Sequence, residues 1–160
     1  MPTLQQAASR LSRAVRRFNG YNDELKKEFG SAAKSFLRAW AKKNAVVGTI
    51  SWNKGGIAVS GEVELSNDTF EIWVSQSSVS SLPCIMFRGR KQDGFYNQGH
   101  KQLPRYVTGS NNFATPEKFI TMSMEVFLQM CGREFMVKPP IIMANNSTYT
   151  WDMTKGPVSV

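Results

Sequence analysis

The spacing of hydrophobic positions divides this chain into three parts. From residue 3 to 18 the period is helical. Leu4, Ala8, Leu11, Val15 and Phe18 step by four, three, four and three, so they share one narrow face. Arg10, Arg13, Arg16 and Arg17 fall on the opposite face. Asn19-Gly20 interrupts the pattern, and Gly suits a helix C-terminus. Asn22 or Asp23 then caps a second helix. Its apolar face is Leu25, Phe29, Ala32, Ala33, Phe36 and Trp40, and its far side carries Lys27, Lys34, Arg38 and Lys42. Gly30 lies mid-helix, where Gly costs ~1 kcal/mol relative to Ala and permits close packing or a kink. The short link predicts an antiparallel helical hairpin.

From residue 45 the period changes to two. Val46, Gly48, Ile50 and Trp52 alternate with Val47, Thr49 and Ser51, and Asn53-Lys54-Gly55-Gly56 reads as a hairpin turn. Ile57, Val59, Val63 and Leu65 continue the alternation, Ser66-Asn67-Asp68 is a second turn, and Phe70, Ile72 and Val74 form a third strand. This is an antiparallel meander with one buried face. A fourth strand is expected at Cys84–Arg88, after a Ser-rich link at 75–81.

Beyond it, periodicity is lost. Residues 88–112 read as a long basic loop rich in Gly and Asn, and a loop of that length in a compact domain carries function or moves. Thr115-Pro116-Glu117 is a helix start: a capping hydroxyl, Pro in the first turn, then an acid. Phe119, Ile120, Val126, Phe127 and Met130 mark one amphipathic helix over 116–131, ended by Gly132. Short strands are expected at 135–137, 141–144 and 149–153. The fold class is α+β: an N-terminal helical hairpin (1–43), then a unit (44–160) holding an antiparallel sheet of four to six strands and one further helix. The sheet pattern suits an OB-like barrel or an open sheet.

Composition narrows the function more by exclusion than by pointing. At 41% hydrophobic and 11% aromatic, the chain is too apolar to be disordered. No stretch reaches the ~18–20 apolar residues of a membrane helix, and no secretory pattern is present, so an intracellular protein with free thiols is expected. Two cysteines and one histidine leave little for a metal or a His-based catalyst, and no cofactor is expected. Cys131 reads as a buried inert thiol rather than a partner of His100. Glu62 and Glu64 read as a solvent face rather than a cation site.

Net charge changes the picture. The formal balance is +8, from 20 Lys+Arg against 12 acids. Residues 1–43 hold ten Lys+Arg and three acids, whereas 44–160 hold ten and nine. Within the second part, Arg88, Arg90, Lys91, Lys101 and Arg105 stand against Asp93 alone over residues 88–105. Two like-charged helix faces and one basic loop suit a polyanion, since each neutralised phosphate releases counterions.

The loop also interleaves its cations with Phe95 and Tyr96. Cations match phosphates, aromatic rings stack on unpaired bases, and Gly permits close backbone approach. Trp73 alternates onto the polar face of the meander with Glu71 and Ser75, where it is either covered by another element or offers a stacking platform. The expected contacts are therefore Arg13, Arg17, Lys34, Arg38, Trp73, Arg88, Arg90, Lys91, Phe95, Tyr96, Lys101 and Arg105.

These observations lead to an expectation of a non-enzymatic protein that binds nucleic acid. Single-stranded DNA or RNA is favoured over duplex because aromatics accompany the charge. Its small, basic, motif-free character fits a phage- or mobile-element-encoded accessory protein. The alternative is a viral structural or assembly component, or an inhibitor of a host complex, whose basic face docks to an acidic protein surface.

Overall fold

The computed structural model describes residues 2–18, 21–53, 61–75 and 83–132, together with the backbone of 141–144, 147–152 and 156–159. Helix α1 (Leu4–Arg17) opens with a reciprocal cap. The Gln6 amide donates to the Thr3 hydroxyl at 3.1 Å, and the Thr3 amide donates to Gln6 Oε1 at 2.9 Å. Helix α2 (Asp23–Lys43) is capped by Asn22, whose Oδ1 accepts from the Leu25 amide at 3.0 Å. Asp23 and Glu24 sit in its first turn and Lys42 and Lys43 in its last, each matching the helix dipole. The two helices pack antiparallel: Arg10 meets Glu28 and Ser31, and Phe18 meets Phe29 edge-on at 5.6 Å. Gly30 permits close packing, because the Trp52 ring lies where its Cβ would be.

The meander is β1 (Thr49–Asn53), β2 (Glu62–Ser66), β3 (Phe70–Ser75), β4 (Ile85–Gln98), β5 (Lys101–Thr108) and β6 (Asn112–Ala114). All pairings are antiparallel, in the order β1-β2-β3-β4-β5 with β6 also on β4. The sheet is curled and follows an open path. The turn into β3 is fixed by Asn67, whose Oδ1 accepts from the amides of Thr69 and Phe70. Alternation then puts Val63, Leu65, Phe70, Ile72, Val74, Ile85 and Phe87 on a fully buried inner face.

The segment expected as a loop is instead a two-stranded ribbon. Residues 85–89 of β4 lie in the body of the sheet, with β3 along one edge and β6 beside residues 85–87 on the other. Residues 90–98 run on and pair with β5. The two-residue link Gly99-His100 closes the hairpin, with Gly99 at φ +63° in the first central position, as a II′ turn requires. At Gln92/Phe95 the register shifts, so Asp93 and Gly94 oppose Arg105 in a β-bulge.

The single helix expected over 116–131 is two: α3 (Pro116–Phe119) and α4 (Met124–Cys131). Thr121 and Ser123 break it. The Thr121 hydroxyl donates to the Lys118 carbonyl at 2.7 Å, and Ser123 Oγ caps α4 by accepting from the Val126 amide at 3.2 Å. The break changes the buried set, so Val126 and Met130 are exposed while Met124, Leu128 and Cys131 go inward. It also lets Phe119 and Phe127 meet Trp40, Phe70 and Phe87 in one ring cluster, with centroids 4.9–6.2 Å apart. One apolar cluster thus joins both N-terminal helices, the inner sheet face, α3 and α4.

A second, three-stranded antiparallel sheet follows: β7 (Ile141–Ala144), β8 (Ser147–Asp152) and β9 (Gly156–Ser159). The first two strands match the expected ones within two residues, while β9 carries no alternation signal in the sequence. The expected strand at 135–137, most of the turn at 53–56 and most of the link at 75–81 lie outside the described residues.

Candidate nucleic-acid interface

The ribbon sorts its side chains into two faces, because cross-strand partners share a face and neighbours along a strand alternate. The register places Tyr96 with Leu103, and Gln98 with Lys101, on one face. Lys91 with Val107, and Arg105 across the bulge, belong to the same side. Three cations thus share a face with one tyrosine, Lys101 and Arg105 beside it and Lys91 nearer the root of the ribbon. The other face carries Phe95 with Pro104, Asn97 with Gln102, and Gln92 with Tyr106. Phe95 and Tyr96 are 58% and 48% exposed, so neither ring anchors the ribbon to the core. Arg105 is held in place at the bulge: its Nη2 pairs with the Asp93 carboxylate at 3.1 Å, and its Nε donates to the Asp93 carbonyl at the same distance. Both side chains of that pair are more than half exposed, so its contribution to stability is small.

At the root of the ribbon the other two expected cations serve the fold. Glu71 on β3 is 5% exposed although it lies on the face away from the helices. Arg88, its cross-strand partner, donates to it through Nε, and Arg90 reaches its other oxygen at 3.4 Å. Arg88 also donates to Asn111 Oδ1 at 3.1 Å, and the Arg90 guanidinium lies 3.6 Å from the centre of the Tyr106 ring. Arg88 and Arg90 therefore fasten the ribbon to the sheet. Glu71 was missed in the sequence because simple alternation assigns it to a wet face; only the register with Arg88 shows why it is buried.

The helical cations are also divided. Lys34 Nζ lies 4.9 Å from the centre of the Trp52 ring on β1, and Arg38 is exposed. Arg13 and Arg17 line a cleft against α2 together with Arg10. Arg10 holds Glu28 with two bonds, at 3.0 and 3.2 Å. That contact, reinforced by the charges of Arg17 and Arg13, keeps the Glu28 carboxyl below its ordinary range against the opposing effect of burial.

Trp73 stands in a cross-strand row with Ser51, Glu64, Met86 and Phe113 on the outer sheet face. It is half-buried, its indole N–H has no hydrogen-bond partner among the described residues, and Phe113 beside Met86 is exposed. The helices pack on the opposite face, so they do not cover it.

Burial pushes the Cys84 and Cys131 thiols up to about 12, which removes the thiolate that nucleophilic chemistry needs. Among the described residues no group of three His, Cys, Asp or Glu side chains is placed to hold a metal ion. No helix among them is long and apolar enough to cross a membrane. No known protein family, curated protein or solved structure matches this chain.

Proposed function

We propose that this protein binds single-stranded nucleic acid, DNA or RNA, without catalysing a reaction, and that the β4–β5 ribbon is its principal contact surface. The observation that carries this reading is the ribbon face that Lys91, Lys101 and Arg105 share with the exposed Tyr96, Lys101 and Arg105 standing on either side of its cross-strand partner Leu103. Cations along a strand neutralise phosphates, and a ring between them stacks on a base. Trp73 and Phe113 on the outer sheet face offer two further apolar surfaces. The helical cations Arg13, Arg17 and Arg38 add attraction that does not depend on sequence. This reading places the protein inside a cell.

The test is fluorescence anisotropy with single-stranded DNA, RNA and duplex oligomers at two salt concentrations. Tyr96→Ala should cost ~1–3 kcal/mol on single strands with little change in salt slope, and Tyr96→Phe should bind almost normally. Lys101→Gln should instead lower the slope by roughly 0.7, one phosphate's worth on a single strand. Changing Arg13, Arg17, Lys34 and Arg38 together to Gln should weaken binding equally for all base sequences. Parent-like binding of single strands by Tyr96→Ala defeats the stacking role.

One observation favours a second reading. Along 92–98 no strand pairs with the edge of β4 away from β5 among the described residues, and such an edge can add a strand from another protein. The ribbon would then dock an acidic protein surface, as in a viral assembly component or an inhibitor of a host complex. No binding of any oligomer at low salt would favour that account.

A further inference from the structure

Between α1 and α2 lies a cleft of about 280 Å³, lined by Arg10, Arg13, Ala14, Arg17, Leu25 and Glu28. The volume is at the small end of ligand pockets. Its three arginines follow one another at spacings of three and four along α1, so they rise from one side of the helix. Like charges at that spacing repel, and nothing in helix propensity requires three of them there.

The acid in the cleft accounts for one of the three. Glu28 is bound by Arg10 through both oxygens, and Arg10 is further fixed by Ser31 Oγ at 3.1 Å. Among the described residues, neither Arg13 nor Arg17 has a carboxylate within ion-pair distance. Two guanidinium groups are left uncompensated beside a fixed Arg–Glu pair, and the formal charge of the cleft is +2 from three arginines and one glutamate. Leu25 and Ala14 supply the apolar part of its lining.

We propose that this cleft is a binding site for a phosphate dianion, either inorganic phosphate or a phosphomonoester such as the end of a nucleic-acid strand. Charge selects the dianion: at neutral pH a phosphomonoester carries about −1.5 to −2, close to the uncompensated charge, whereas a backbone diester carries one. Arginine geometry selects phosphate, because each guanidinium presents parallel N–H donors to two oxygens at once. Arg13 and Arg17 supply those donors. Arg10, held by Glu28 and Ser31, fixes the wall of the site and is a positioning residue. The site stands apart from the ribbon, so it does not depend on strand binding there.

The test is an NMR titration of the full-length protein with inorganic phosphate, ionic strength being held constant with sodium chloride. The expected result is saturable shifts confined to the amides around residues 10–17 and 25–28. Arg13→Gln and Arg17→Gln should each weaken that binding roughly tenfold or more, the loss of one charge-assisted pair. Lys118→Gln, an exposed cation outside the cleft, should leave it unchanged. Circular dichroism and the melting temperature confirm that the helices persist in each variant.

Shifts that stay linear in phosphate, or a doubly substituted Arg13→Gln, Arg17→Gln protein that saturates like the parent, would overturn the proposal. A second arm compares 5′-phosphorylated with 5′-hydroxyl oligonucleotides. Tighter binding of the phosphorylated strand, lost in the double variant, assigns the cleft to strand ends. Equal binding of the two strands, with saturable binding of phosphate alone, assigns it to free phosphate or a small monoester. If phosphate saturates and no oligomer binds, the nucleic-acid reading fails while the cleft stands.

Discussion

At the scale of the residue, Gly30 shows how a missing side chain can be structural. A Cβ at that position would run into the indole ring of Trp52. Gly30→Ala gains ~1 kcal/mol of helix propensity, but overpacking a well-filled contact costs ~1–3 kcal/mol or more, so the variant should be less stable. Urea unfolding measures the balance, and a raised midpoint would show that the indole can step aside. The sequence left packing and kink both open at Gly30, because the deciding partner is 22 residues away on a strand. Glu64 has a comparable dependence on distant residues. Burial on the sheet face and the neighbouring Glu71 raise its carboxyl above 4.5, against a hydrogen bond from Ser66 and the charges of Arg90 and Arg88. A raised acid binds its proton more readily in the folded state, so stability is greatest below the unfolded value and falls as pH rises through the folded one. Glu64→Gln should therefore melt higher than the parent at pH 7. The difference should close in acid, where both side chains are neutral. A variant that melts lower at neutral pH would contradict this.

At the scale of the element, helices and inner strands were legible because each has one dry face. Phe70, Ile72 and Val74 alternate cleanly with their neighbours, and all three are fully buried. The ribbon was illegible for the complementary reason: both of its faces meet water, so no hydrophobic period marks it. Its one local signal is the pair Gly99-His100, a two-residue link that alternation could not frame. The broken helix at 120–123 had a signal too, in Thr121 and Ser123, but it was outweighed by the apolar positions on either side. Because the ribbon is largely exposed and only two strands wide, its pairing should open more readily than the sheet body. Amides of 91–107 should exchange with deuterium well before those of 85–87, which lie between β3 and β6. Equal protection across β4 would show that the ribbon is held by more than its own ladder.

At the scale of the whole molecule, the sequence read the sum of the charges correctly but not their disposition. Residues 88–105 hold five cations, yet Arg88 and Arg90 converge on one buried carboxylate, and only the remaining three, Lys91, Arg105 and Lys101, are spread along the ribbon. Of the expected contact residues, the structure gathers Lys91, Tyr96, Lys101 and Arg105 on one face, places Phe95 on the other, and leaves the helical cations elsewhere. Register and tertiary packing decide this grouping, and neither is a property of a local window. The ribbon's turn has a further consequence for how the chain can be cut. Gly99 and His100 are exposed at the tip, and a Cβ added to Gly99 would meet nothing within 4 Å. An insertion between them should spare the apolar cluster, whose members all lie outside the ribbon. A short flexible peptide carrying a protease site, spliced in after Gly99, should leave the melting temperature within a few degrees of the parent. After cleavage, the fragments ending in β4 and beginning with β5 should stay together through size exclusion, since β6, α3 and α4 of the second are packed against the sheet and helices of the first. This protein would then be a two-piece molecule joined by its core, with new termini at the tip of the ribbon.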